Sequence, residues 1–265
     1  MFCVSHPVGY IGVLTGVKAN SFSVSVNYRR SKGMDKYGEI AMLQNLFRLI
    51  VGNWPVGYAV RDAMETCETF TDAVDWLQNV ELIVPVYFTV CGCGVDEGAI
   101  ITRDRSPNDP EKDVVFLGDD GTSCLVQTNM DCSKQDPTDN SIATYIENDW
   151  QNICDSRKRR LFVQSCLNTV EDDDVTETTM WQLMTTKTIC VDETIYTTFM
   201  HPADGGNITT RINKGSWMRG LKRDGRKRFG KFKTSVDRHF KKIESTKEYA
   251  QYVEETDVLE AATRQ

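Results

Sequence analysis

The chain has 265 residues, 40% of them hydrophobic, with a formal net charge of −7 and a pI near 5.1. That length can bury one substantial core, no run of about 18 apolar residues offers a membrane-spanning helix, and the acidic balance gives no reason to expect a specific nucleic-acid partner. The first 25 residues lack a basic stretch followed by a continuous apolar one, so no secretory signal is visible in them.

In chain order, GYIGVLTGVKANSFSVSVNY (9–28) reads as strand, turn, strand: Phe22, Val24 and Val26 alternate with serines, which fits one buried face. GEIAMLQNLFRLIV (38–51) places Ile40, Leu43, Phe47 and Ile50 on one helical stripe with Leu46 beside it, and Gly52 is a natural stop. Pro55 can start a second helix, VGYAVRDAMETC. Thr71 is the expected cap of a third, DAVDWLQNV. The period then changes. Segments 83–90, 98–105, 113–120 and 123–129 are rich in β-formers and separated by turn signals, among them Asn108-Asp109-Pro110 and Asp119-Asp120-Gly121, so an antiparallel meander is expected. A polar stretch over 131–160 precedes helical segments near 159–168 and 176–186. The last predicted element is a hairpin, ETIYTTFM and ITTRI around HPADGGN. Blocks of strands and helices in this order predict an α+β layered sandwich rather than alternating βαβ units.

From about residue 214 the composition shifts. Residues 214–242 hold twelve Lys/Arg against two Asp, whereas 243–265 hold two basic and six acidic residues. The expected division is therefore a domain over 1–213 and a basic-then-acidic extension over 214–265, helical or disordered. Trp217, Met218, Leu221, Phe229, Phe232 and Phe240 interleave with the Lys and Arg of the extension, a composition that could engage an anionic lipid surface or RNA.

Nine cysteines and three histidines contain no C-x-x-C pair, and Cys91-Gly-Cys93 is too tight for a structural zinc knuckle, so scattered thiols rather than a metal site are expected. Cys3 poses a sharper question, because loss of Met1 and Phe2 would expose it as an N-terminal nucleophile. Phe2 is too large a second residue for ordinary removal of an initiator Met, and an ordinary strand position is the expected reading. Asn207-Ile208-Thr209 is a glycosylation sequon beside the hairpin turn, and its modification would imply passage through the secretory pathway.

Six stretches taken together resemble the acid ceramidase and N-acylethanolamine-hydrolysing acid amidase family: GYIGVLTG (9–16), VSVNYRR (24–30), ITRDR (101–105), VQTNMD (126–131), SRKRR before a helix ending in CLN (156–168), and IYTT (195–198). They occur in the family's order and cover residues 2–212. The resemblance implies a partial αββα N-terminal-nucleophile-hydrolase sandwich, with antiparallel sheets between helical layers, that lacks its first strands. It also implies hydrolysis of fatty-acid amides such as ceramide or N-acylethanolamine, a lysosomal or secretory location, and no cofactor or metal.

Carried over residue by residue, the family's oxyanion asparagine falls on Asn129, with Met130 in place of the usual tyrosine, and its arginine falls on Arg160, with Arg157 and Arg159 as the alternatives in a shifted alignment. The carboxylate position of the family falls on Tyr28, a departure, since a phenol is neutral at the working pH and cannot hold a charged amine. In the family the nucleophilic cysteine lies upstream of the stretch matching FCVSHPVGYIG. The expectation is thus an incomplete or divergent chain, active only in a full-length form, with a catalytically inactive lipid-binding or interaction module as the alternative.

Overall fold

The computed structural model describes residues 2–5, 9–29, 34–109, 112–131, 156, 159–160, 162–167, 175–186, 188–190, 194–203 and 205–212, with side chains between 34 and 40 excepted. The extension from 214 lies outside these residues, as does most of the polar stretch after 131.

Six strands lie side by side in chain order, each antiparallel to the next: β1 (Phe2–Val4), β2 (Thr15–Lys18), β3 (Phe22–Tyr28), β4 (Val86–Cys91), β5 (Gly98–Arg103) and β6 (Asp113–Phe116). Three helices connect β3 to β4: α1 (Met34–Ile50), α2 (Val56–Thr66) and α3 (Phe70–Asn79). Helical residues recur at 159–160 and 162–167, α4 spans Glu177–Met184, and β7 (Tyr196–His201) and β8 (Asn207–Ile212) form a separate two-stranded antiparallel sheet. The α+β class and the expected meander and hairpin are present. Two expectations need correction. Residues 123–129 form no strand, and the segment before β2 meets the sheet only at its end, where Leu14 O accepts from Val26 N of β3 at 3.0 Å.

The period-2 pattern explains the core. Val24 pairs with Val90 and Val26 with Phe88, while Val90 and Phe88 in turn face Ala99 and Ile101, so one sheet face is apolar across three strands. That face packs on Ala59, Val60, Ala63 and Met64 of α2 and on Phe70, Ala73, Val74 and Leu77 of α3. Every residue of β5 is buried, so the second face of this strand is covered as well.

Local chemistry fixes the helix positions. α3 is capped by Thr69, two residues before the expected Thr71: the Thr69 hydroxyl accepts from the Asp72 amide at 3.1 Å, and the Asp72 carboxylate accepts from the Thr69 amide at 3.0 Å. The other end of α3 is held by Arg103, which is wholly buried at the end of β5 and donates to Leu77 O at 2.5 Å and Val80 O at 2.6 Å. Those are carbonyls that a helix terminus leaves without intrahelical partners. Gly57 in α2 admits the Tyr10 ring, since a Cβ there would sit 1.9 Å from the Tyr10 hydroxyl. This contact gives the Gly-Tyr-Ile-Gly stretch a physical role, docking the 9–14 segment on α2, where Val13 N also donates to Gly57 O at 2.8 Å.

The stripe predicted for α1 behaves differently from those of α2 and α3. Ala41 is buried, but Met42, Leu43, Leu46, Phe47, Leu49 and Ile50 are all more than half exposed. The helix forms with its apolar side outward.

Candidate active site

One end of the sheet gathers the motif residues. The register aligns Tyr28, the last residue of β3, with Val86 on β4 and Arg103 on β5. The segments following β3 and β5 therefore leave the sheet side by side, which brings Tyr28-Arg29 next to Asp104-Arg105. Residues 128–131 cross the same end. Arg29 Nε and Nη2 donate to the two Asp131 carboxylate oxygens at 2.8 and 2.9 Å, a bidentate pair. Its Nη1 donates to Arg103 O at 3.3 Å and stands 3.7 Å from Asp104.

The Tyr87 hydroxyl donates to Asp131 Oδ1 at 2.6 Å, and its ring lies under the Arg29 guanidinium, 5.9 Å from it. Burial first, and the Asp131 charge second, push the Tyr87 hydroxyl above the usual phenol range, so it remains a donor. Asp104 also pairs with Arg105 at 3.3 Å, and Arg105 donates through Nε and Nη2 to Asn45 Oδ1 of α1. A nearly buried ionic network thus joins α1, β3, β4, the end of β5 and the 128–131 segment. Its carboxylates and guanidinium groups satisfy one another, as charges taken out of water require.

The three site residues read from the sequence meet at this place. The Asn129 side chain is exposed and its orientation is fixed: Nδ2 donates to Tyr28 O at 2.9 Å, and Oδ1 accepts from Arg159 Nη2 at 3.1 Å. Its backbone amide donates to Ser156 Oγ at 2.8 Å, and Ser156 is 1% exposed. A carboxamide has two N–H groups, and the second has no acceptor among the described residues. Arg160 donates from Nη1 to Asp131 O at 3.0 Å and from Nη2 to Met130 O. It therefore braces the backbone that carries Asn129. Two buried polar atoms beside this point, Arg160 Nε and Thr128 Oγ1, have no hydrogen-bond partner among the described residues. Tyr28 contributes its carbonyl inward and leaves its side chain 60% exposed.

Chemically this is a fixed N–H donor in a cationic setting, the arrangement that stabilises an oxygen gaining negative charge. Among the described residues no cluster of three or more His, Cys, Asp or Glu could hold a metal ion. Cys3 stands elsewhere. It pairs with Val17, which pairs with Ser23, so it lies two strands across from β3 and five residues along from Tyr28. At ordinary sheet spacings that is about 10 Å across and about 17 Å along. Cys3 is an exposed strand residue.

Sequence reading did not single out Arg29, Tyr87, Asp131 or Ser156. Arg29, Asp131 and Ser156 lie inside the quoted motif stretches, and that is the available signal. Tyr87 carries none that distinguishes it from other strand residues.

No family model matches the chain. Acid ceramidase of Mus musculus is 30% identical over 206 residues, covering 77% of this chain and 46% of that protein. Acid ceramidase of Homo sapiens is 28% identical over the same length and shares. The chain thus spans about half the length of the curated relatives it matches. Among solved structures, a Caenorhabditis elegans N-acylethanolamine-hydrolyzing acid amidase ortholog superposes with a TM-score of 0.58, at 24% identity, over 81% of this chain and 87% of that one. That likeness is one of fold, and it agrees with the partial N-terminal-nucleophile-hydrolase sandwich.

Proposed function

We propose, from the premise that the chain belongs to the acid ceramidase and N-acylethanolamine-hydrolysing acid amidase family, that its full-length form hydrolyses the amide bond of fatty-acid amides. The observation that carries this reading is the meeting of Asn129 and Arg160 around Asp131, with the Asn129 amide oriented and one N–H left to offer. In the proposed reaction a cysteine thiolate attacks the substrate carbonyl, and the Asn129 N–H stabilises the resulting oxyanion. Arg160 acts through the Met130 and Asp131 carbonyls, keeping the Asn129 backbone in place. The exposed apolar side of α1 is suited to an acyl chain or a lipid surface. The lysosome or the secretory pathway is the location that goes with this reading.

Protein expressed from its full-length reading frame, assayed with a fluorogenic N-acyl amide at acidic pH, tests it. Replacing Asn129 by Ala should lower kcat roughly 10²–10³-fold, far more than the modest stability loss expected from its two exposed hydrogen bonds. A second reading draws on Tyr28. Its phenol stands where the family has a carboxylate, which favours a non-catalytic lipid-binding module. Lipid binding by the full-length parent without turnover would select that reading.

A further inference from the structure

We infer that Asn207 is an acceptor for an N-linked glycan. The inference rests on the secretory-pathway reading above, but the site is defined by its own geometry. Asn207-Ile208-Thr209 is the single Asn-x-Ser/Thr sequon in the sequence. It opens β8 immediately after a turn made by Gly205 and Gly206, whose φ angles are 66° and 80°. The turn is docked: Gly205 N donates to Asn20 Oδ1 at 3.3 Å, and a Cβ on Gly206 would lie 2.7 Å from Ala19 Cα. The chain therefore emerges from a fixed reversal directly at Asn207.

Asn207 is exposed, and its carboxamide makes no hydrogen bond with the described residues, so a sugar attached there breaks none of their hydrogen bonds. Alternation along the strand puts Asn207 and Thr209 on one face, opposite His201 and Phe199 of β7. A buried sequon, or one whose Asn held the fold by its amide, could not carry a glycan in the native protein.

The donor is a lipid-pyrophosphate-linked oligosaccharide. Asn207 Nδ2 forms a bond to the anomeric carbon of its first sugar, the bond from that carbon to the pyrophosphate oxygen breaks, and the lipid pyrophosphate leaves. The amide gives up one proton to the transferase, and no oxidation or reduction occurs.

The test is translation of the full chain behind a supplied cleavable signal sequence in the presence of endoplasmic-reticulum microsomes. Protease protection reports entry independently of glycosylation. The expected result is a protected product with a one-glycan mobility shift that is removed by peptide N-glycosidase. The shift should vanish in N207Q and T209A and persist in T209S. A protected but unshifted product overturns the inference, and so does a shift that survives N207Q. Translation of the natural full-length reading frame tests the location separately. If that product stays outside the microsomes while the signal-bearing chain is glycosylated, the secretory reading fails and the acceptor site stands.

Discussion

Arg29 binds Asp131 through two guanidinium nitrogens and stands 3.7 Å from Asp104, with only 5% of its side chain exposed. Removing it leaves the Asp131 carboxylate, 12% exposed, without its bidentate partner and with the Tyr87 hydroxyl still donating to it, while Asp104 keeps Arg105. Arg29→Ala should therefore cost roughly 3–5 kcal/mol of stability, read from urea unfolding. Lys, which lacks the planar fork, should recover only part of the loss. A cost under about 1 kcal/mol, the level of an exposed pair, would mean that Asp131 is organised by other groups. The same residues show where sequence reading stops. Asn129, Arg160 and Tyr28 can be proposed from the sequence because six ordered stretches give the chain a register. The Arg29–Asp131 pair spans 102 positions, and nothing local says which of many charged residues will meet across such a distance. The role of the Tyr28 backbone was hidden for another reason: a carbonyl acceptor leaves no trace in residue identity.

Among the elements, α3 shows how a cap sets a boundary and a pH response. The Thr69 hydroxyl, then the backbone amides of this turn, hold the Asp72 carboxyl below its usual range. A carboxyl lowered in the folded state adds stability above its unfolded value and loses it as pH falls through the folded one. Asp72→Asn should therefore lower stability at neutral pH and flatten the acid limb of a stability-against-pH curve below about pH 4, the two proteins converging at low pH. An unaltered acid limb would show that the capping box carries no such linkage. The cap was anticipated two residues late, since Thr69 and Thr71 are equally good candidates and the choice depends on which lets Phe70 reach the core. Segment 123–129 was misjudged by the opposite error. Its β-formers satisfy a propensity, but a strand also needs a neighbour with free backbone groups, and the chain here turns instead toward Arg29 and Tyr87. For α1 the periodicity predicted a helix but could not say whether anything covers its apolar side.

At the scale of the whole molecule, the proposed lipid contact has two separable contributors, the exposed apolar side of α1 and the basic, aromatic-bearing extension. The expected outcome with anionic vesicles is that Phe47→Ser weakens binding at any ionic strength, whereas deletion of 214–265 weakens it mainly at low salt, because charge attraction is screened and apolar contact is not. Sedimentation with vesicles checks both, and binding unchanged by either alteration would remove membrane contact from the functional reading. The layered α+β organisation was legible because strand and helix periods alternate in blocks. The covered second face of β5 was foreshadowed only by its run of Ala, Ile and Thr. Arg103, which ties the end of β5 to the last carbonyls of α3, has a further consequence. Neither element can open without stranding a buried guanidinium, so their amide hydrogens should exchange with deuterium together and last, long after those of the β7–β8 hairpin. The side chain that closes α3 thereby sets the order in which the molecule comes apart.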